Sequence, residues 1–118
     1  MQTIIQAIGF PLTDALETHV HNRLGFTFSR TSGRVRRVTV RLSDLNGPRG
    51  GIDKCCLVEV RLDGLPTVVV GDVQPDMYTA IDRAIGRAAR SVLRRLSINN
   101  SKRRQQAVQL AHHASPGL

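Results

Sequence analysis

The sequence has few aromatic residues. Its 118 residues include three Phe, one Tyr and no Trp. Proteins that bind single-stranded nucleic acid without sequence preference stack the bases on exposed aromatic rings. The scarcity therefore argues against a surface built mainly from such rings. The apolar fraction of 41% and the periodic apolar segments predict one globular domain with a single core rather than a disordered chain.

The sequence also lacks the residue spacing of a disulfide framework or a metal site. The cysteines Cys55 and Cys56 are adjacent, and an ordinary disulfide between neighbours would be strained. No C-x-x-C or H-x-x-x-H spacing occurs, and a helix would direct His19 and His21 away from each other. We therefore expect no metal and no cofactor. The four histidines are His19, His21, His112 and His113.

No stretch of the sequence is apolar for the length that a membrane span requires. The first ten residues, MQTIIQAIGF, carry no basic segment of the kind that opens a secretory signal. We therefore expect a cytoplasmic protein without a membrane partner, and nothing in the sequence indicates a small-molecule substrate.

Acidic residues are absent after Asp82, so the net positive charge of the chain lies in the segment that follows. Up to Asp82, nine basic and nine acidic residues cancel, so the net charge of +8 comes from the eight basic residues that follow. A solvated helix face is one explanation. We favour phosphate binding, because seven of the eight are arginines, whose planar guanidinium pairs with phosphate oxygens. The eight are Arg83, Arg87, Arg90, Arg94, Arg95, Lys102, Arg103 and Arg104.

Four segments have the β-branched or alternating composition of strands with one buried face. In the second segment Val38, Val40 and Leu42 share one face, and basic or polar residues occupy the other. The dipeptide Asp63-Gly64 predicts a two-residue hairpin between the last two strands. The predicted strands are residues 2–8, 34–44, 53–62 and 65–72.

Two segments predict helices. The first, residues 12–25, repeats an apolar residue every four positions, with Thr13 or Asp14 as its cap and Gly25 as its end. The second spans residues 76–96. The sequence INNS that follows predicts its end, with a short frayed helix beyond. Apolar residues form one face of the second helix: Met77, Ile81, Ala84, Ile85, Ala88, Val92 and Leu96. Arginines form the other: Arg83, Arg87, Arg90 and Arg94.

These elements predict a two-layer α+β domain in the order β-α-β-β-β-α, with a four-stranded sheet and both helices packed on one face. The domain is expected over residues 1–97, with residues 98–118 as a basic, flexible tail. Arg23, near the end of the first helix, is expected to extend the positive surface of the second. Arg95 turns toward the apolar side of its helix.

The segment DMYTAID resembles the D-M-Y-x-A-I-D signature of the ribosome hibernation-promoting factor family, which is also called the ribosome-associated inhibitor or sigma-54 modulation protein family. The upstream PLTDALETHVHNRL is similar to the first helix of the family, and the resemblance covers about Gln2 to Leu96. We expect the motif residues to be mainly structural. They are Asp76, Met77, Tyr78, Ala80, Ile81 and Asp82.

The resemblance implies a fold similar to double-stranded RNA-binding domains. It further implies a non-enzymatic stress factor that occupies the decoding channel of the small ribosomal subunit, binds ribosomal RNA phosphates and silences translation. The 22 residues after Leu96 are too few for the dimerising domain of the long family members, so we expect a monomer. The basic positions of the family's second helix correspond to Arg87, Arg90, Arg94 and Arg95, and Arg83 extends them by geometry alone.

Several alternatives remain open. The open sheet face, with Arg37, Arg41, Leu57 and Arg61, would suit a protein-interaction module, and the chain could also be a diverged RNA-binding protein that does not act on ribosomes. The Gly-rich segment 46–51 is either a plain hairpin loop or a phosphate-binding loop. A metal-dependent nuclease using Asp72, Asp76 and Asp82 is disfavoured, because the sequence reveals no pocket of convergent groups.

Overall fold

A computed structural model describes residues 1–45 and 53–114 of the chain. The predicted order β-α-β-β-β-α and the α+β class are confirmed. The Gly-rich segment 46–51 lies outside the described residues. The elements are β1 Gln2–Ile8, α1 Asp14–Thr27, a 3₁₀ turn Ser32–Arg34, β2 Val35–Asp44, β3 Lys54–Leu62, β4 Leu65–Gln74 and α2 Met77–Ala114.

The four strands form one sheet in the order β1-β2-β3-β4. β1 pairs directly with β2 in parallel, and helix α1 connects the two strands as a crossover. Strands β2, β3 and β4 form the predicted antiparallel meander. The tight turn at Asp63-Gly64 joins β3 to β4, and Leu62 pairs with Leu65 across it. Gly64 has φ +69°, a conformation that favours glycine in such a turn.

The hydrophobic core lies between one face of the sheet and the two helices. The predicted inward residues of β2 and the apolar face of α2 are buried, and α2 packs on β3 and β4 while α1 packs on α2. Full burial of one such aliphatic side chain contributes about 1.5–3 kcal/mol. Fully inaccessible members include Val20, Val38, Val40, Leu42, Val58, Val60, Ile81, Ile85 and Val92.

The first helix begins as predicted and ends later than predicted. The Thr13 hydroxyl accepts a hydrogen bond of 3.2 Å from the Leu16 backbone N–H, which makes Thr13 the N-cap. Gly25 does not end the helix, which continues to Thr27. The Phe28 N–H donates to the Leu24 carbonyl at 2.9 Å, and its side chain is only 1% exposed. Burial of Phe28 in the core explains the added residues.

The second helix does not end where the sequence predicted. α2 continues through INNS, residues 98–101, to Ala114. Asn and Ser are weak helix formers, but each costs only tenths of a kcal/mol, whereas Gly costs about 1 and Pro about 3. The last core residue among those described is Leu96, so residues 97–114 extend the helix by about 27 Å at 1.5 Å per residue.

Candidate nucleic-acid interface

The start of α2 is fixed by the residues of the DMYTAID motif. The Asp76 carboxylate accepts hydrogen bonds from the Thr79 N–H at 3.0 Å and from the Thr79 hydroxyl at 3.1 Å. Met77, Ala80 and Ile81 are buried beneath this first turn. These contacts set the position and rotation of the helix, and thereby the direction in which its arginines point.

The remaining motif residues join α2 to α1. His19 Nε2 lies 2.6 Å from Asp82 Oδ1, and the His19 ring packs edge-on against the Tyr78 ring at a centroid distance of 4.9 Å. Arg23 Nε lies 3.3 Å from the same Asp82 oxygen. Arg23 is therefore positioned beside α2, as the sequence predicted.

Two arginines of α2 contact a buried carboxylate on β4. Arg83 Nε and Arg87 Nη1 each lie 3.3 Å from Asp72 Oδ2, and Gln74 donates to Asp72 Oδ1 at 2.7 Å. Burial by itself would raise the pKa of Asp72. The hydrogen bonds from Gln74 and Arg83 and the nearby positive charges outweigh it, so the pKa lies below its ordinary value. Asp72 therefore stays charged and orients both guanidinium groups.

Arg87 and Arg95 also bind the backbone of the edge strand β4. Arg87 Nη1 donates to the Gly71 carbonyl at 3.0 Å. Arg95 Nη1 donates to the carbonyls of Pro66 at 2.6 Å and Thr67 at 3.2 Å, and its side chain is half-buried. Arg95 thus turns toward the sheet, and much of its hydrogen-bonding capacity is used within the protein.

Arg90 and Arg94 differ from the other arginines of α2. Both are exposed, and neither forms a hydrogen bond or ion pair with another residue in the described part of the chain. Each guanidinium presents five N–H donors. These two side chains therefore have the greatest free capacity for an anionic partner.

Three adjoining open hollows lie along α2, beside α1 and the segment that follows it, and together they form a basic groove, here called the α1–α2 groove. One section, of about 320 Å³, is lined by Arg23, Asp82, Arg83, Gly86, Arg87 and Arg90. A wider section of about 690 Å³ shares Arg23, Gly86 and Arg90 and adds Phe26, Arg30 and Leu93. A third section of about 410 Å³ includes Arg30, Arg34, Leu93 and Arg104.

The groove brings together most of the predicted basic residues and adds two that the sequence reasoning missed. Arg30 lies in the connection between α1 and β2, and Arg34 ends the 3₁₀ turn that precedes β2, at the first position of the strand predicted over residues 34–44. Only the topology could have indicated these two arginines, because the crossover between β1 and β2 places the segment after α1 beside α2. Among the predicted residues beyond Leu96, Arg104 lines the far end of the groove, Lys102 is exposed, and the side chain of Arg103 lies outside the described part.

The open face of the sheet carries a second, separate basic surface. Arg37 and Arg41 donate to the side chains of Gln2 and Gln6 at 3.2 and 3.1 Å. Gln2, Arg36, Arg37 and Arg61 line a shallow hollow of about 320 Å³. This surface points away from α2, so the two basic surfaces can be altered independently.

The acidic residues considered for a nuclease do not converge. Asp72 binds arginines of α2, Asp76 caps that helix and Asp82 contacts His19 and Arg23. Among the residues whose side chains the structure describes, which are 1–45, 53–102, 104 and 105, no group of three or more potential metal ligands occurs. No helix in the described part of the chain is both long and apolar enough to cross a membrane.

Comparisons with known proteins agree with this fold. Residues 3–98 match the family model described as sigma 54 modulation protein / S30EA ribosomal protein. The N-terminal domain of Thermus thermophilus Protein Y is 26% identical, with a TM-score of 0.67 over 80% of this chain and 98% of that one. A ribosomal subunit interface protein from Coxiella burnetii shares the fold at 15% identity, with a TM-score of 0.69 over 80% of this chain and 96% of that one.

A search of curated proteins gives no match. The family model covers most of the chain, including α1, the DMYTAID motif and the first 22 residues of α2, and the resemblance expected from the sequence is thereby confirmed. The chain belongs to the sigma 54 modulation protein / S30EA ribosomal protein family.

Proposed function

We propose that this protein binds the small ribosomal subunit through the α1–α2 groove and the adjoining arginines of α2, and that it silences translation by occupying the decoding channel. The observation that carries the proposal is the groove itself, where arginines from two helices and the connecting segment line three adjoining hollows. Family membership supports a ribosomal partner, and the Coxiella relative of the same fold is named as a ribosomal subunit interface protein.

The proposed contacts are to ribosomal RNA phosphates. Arg90 and Arg94 supply free guanidinium groups, and Arg83 and Arg87 are oriented by Asp72 with donors to spare. Contacts of this kind fix position without reading sequence. They suit a factor that blocks a channel by its bulk and needs no catalytic group.

The charge distribution also favours fast encounter with RNA. All of the formal excess of +8 lies from Arg83 onward, on one helix. A field of one sign raises the local concentration of a polyanion and the rate of association. Together with family membership, this charge distribution supports a cytoplasmic protein whose partner is the ribosome.

Sedimentation through a sucrose gradient tests the proposal. The tagged protein in a stationary-phase lysate is expected to migrate with small subunits or whole ribosomes at low salt and to be released at high salt. Added to a cell-free translation reaction, it is expected to lower protein synthesis. Migration at the top of the gradient under both salt conditions would contradict ribosome binding. Co-migration without any loss of synthesis would contradict silencing.

The open sheet face supports a second candidate, a docking site for an acidic protein. Arg37 and Arg61 pair directly across β2 and β3, and like charges placed opposite each other destabilise a sheet. An acidic partner bound across this pair would neutralise both charges. In that case, capture of the partner would be lost when Arg37 and Arg61 are changed to Glu and kept when Arg90 and Arg94 are changed.

A further inference from the structure

We propose that the wide section of the α1–α2 groove binds one unpaired RNA base, which stacks on the ring of Phe26. This inference rests on the proposed function and adds a base-stacking site to the phosphate contacts. Phe26 is 78% exposed, more than any other large apolar side chain in the described part of the chain. Two residues later, Phe28 is only 1% exposed. Core packing therefore accounts for Phe28 and leaves Phe26 without a structural role.

The surroundings of Phe26 combine apolar and cationic groups. Leu93 of α2, 48% exposed, lines the same section, as do Arg23, Arg30 and Arg90. No acidic residue lines this section. A nucleotide has a flat base that stacks on an aromatic ring or a guanidinium plane and a phosphate that pairs with arginine. The section presents both kinds of group on facing helices.

The section also has the dimensions of a ligand site. Its volume of about 690 Å³ lies within the roughly 300–1,000 Å³ that small-molecule sites occupy. Gly86 lines it without contributing a side chain, although glycine is a weak helix former. An acidic peptide would satisfy the arginines, but it would provide no flat group for Phe26. The structure therefore favours a nucleotide.

A tryptophan substitution gives a direct probe, because the chain contains no Trp. The Phe26→Trp variant is mixed with a hairpin RNA that has an unpaired loop, and with the same hairpin whose loop nucleotides are abasic. We expect strong fluorescence quenching on binding of the intact hairpin and little on binding of the abasic one. Equal quenching by both RNAs, binding without quenching, or equal quenching by poly-glutamate would overturn the proposal.

Affinity measurements supply a second readout. Phe26→Ala is expected to weaken binding of the intact hairpin by roughly 5- to 100-fold, as is typical of a lost base stack, and to leave binding of the abasic hairpin unchanged. Val69→Ala, an exposed apolar change on the open sheet face, is the control and should alter neither. Equal weakening for both RNAs would overturn the stacking site.

The two proposals fail separately. Wild-type protein that migrates with small subunits, while Phe26→Ala binds them with unchanged affinity, would remove the base site and keep the ribosomal partner. Base-dependent quenching by the hairpin, in a protein that does not migrate with small subunits, would remove the ribosomal partner and keep the base site.

Discussion

The individual arginines of α2 differ in the hydrogen bonds that they form within the protein. Arg83 and Arg87 contact the buried carboxylate of Asp72, Arg95 binds carbonyls of β4, and Arg90 and Arg94 bind no other described residue. The sequence predicted that the four arginines of the basic face point away from the core, because helical periodicity fixes direction. It could not predict Asp72 as their partner, because that contact depends on which strand lies beside α2.

Asp72→Asn is expected to destabilise the protein by about 1–3 kcal/mol at neutral pH, since a buried, charge-assisted hydrogen-bond network is lost. The folded state lowers the pKa of Asp72, so its contribution is fully present above the unfolded value of about 3.9 and is lost as the pH falls through the folded value. Thermal unfolding of the wild type and the variant at pH 7 and pH 3 measures this pH-dependent contribution of Asp72 to stability. Wild type should lose more stability on acidification than the variant, and equal losses would contradict the role of Asp72.

The two cysteines are expected to differ in reactivity. Burial, with smaller effects of Cys55 and Asp72, raises the pKa of Cys56 to about 12, whereas Cys55 is half-buried on the open sheet face. An aromatic disulfide reagent should therefore modify one thiol in the native protein and two after denaturation. Cys55→Ser should leave no reactive native thiol. Rapid modification of that variant would contradict the assignment.

At the level of elements, helix and strand types follow from periodicity, while element ends depend on tertiary contacts. The strand pattern around Val38 and Val58 and the Asp63-Gly64 turn were predictable, because alternation and turn chemistry are local. The end of α1 was not, because Phe28 gains its burial from the core. The predicted end of α2 at INNS was wrong, because Asn and Ser weaken a helix without ending it.

Gly86→Ala is expected to stabilise α2 by about 0.5–1 kcal/mol and to raise the melting temperature by about 2–6 °C. A Cβ at this position would meet only Arg90 Nη1, at 3.8 Å, which is an ordinary contact. Gly64→Ala is the opposite control, because its φ of +69° strains any L side chain and the melting temperature should fall. Scanning calorimetry measures both. A lower melting temperature for Gly86→Ala would contradict the open space found there.

For the whole molecule, one sheet and two helices support a basic groove that continues along α2 as far as Arg104. The arginine stripe of α2 was predictable from composition and spacing. The groove was not, because Arg30, Arg34 and Phe26 line it only when the parallel crossover places α1 beside α2. The proposal of ribosome binding rests on the motif and not on the charge, since any polyanion would satisfy charge alone.

A chain ending at residue 100 is expected to keep its stability to within about 0.5 kcal/mol, because no described core residue follows Leu96. It loses Lys102, Arg103 and Arg104. If all three bind phosphates, the slope of log affinity against log salt should become shallower by up to about 2.7, at about 0.9 per contact. Urea unfolding and filter binding measure the two effects. A stability loss of several kcal/mol would mean that residues beyond 100 contribute to the fold.

The most direct test compares two double charge reversals in binding to purified small ribosomal subunits across a salt series. Arg90→Glu with Arg94→Glu changes the free arginines of α2, and Arg37→Glu with Arg61→Glu makes the same change in net charge on the open sheet face. We expect the α2 variant to lose affinity at low salt and to show a shallower salt slope by about 2, while the sheet-face variant binds much as wild type does. Equal losses in both variants, or a loss confined to the sheet-face variant, would contradict binding through α2.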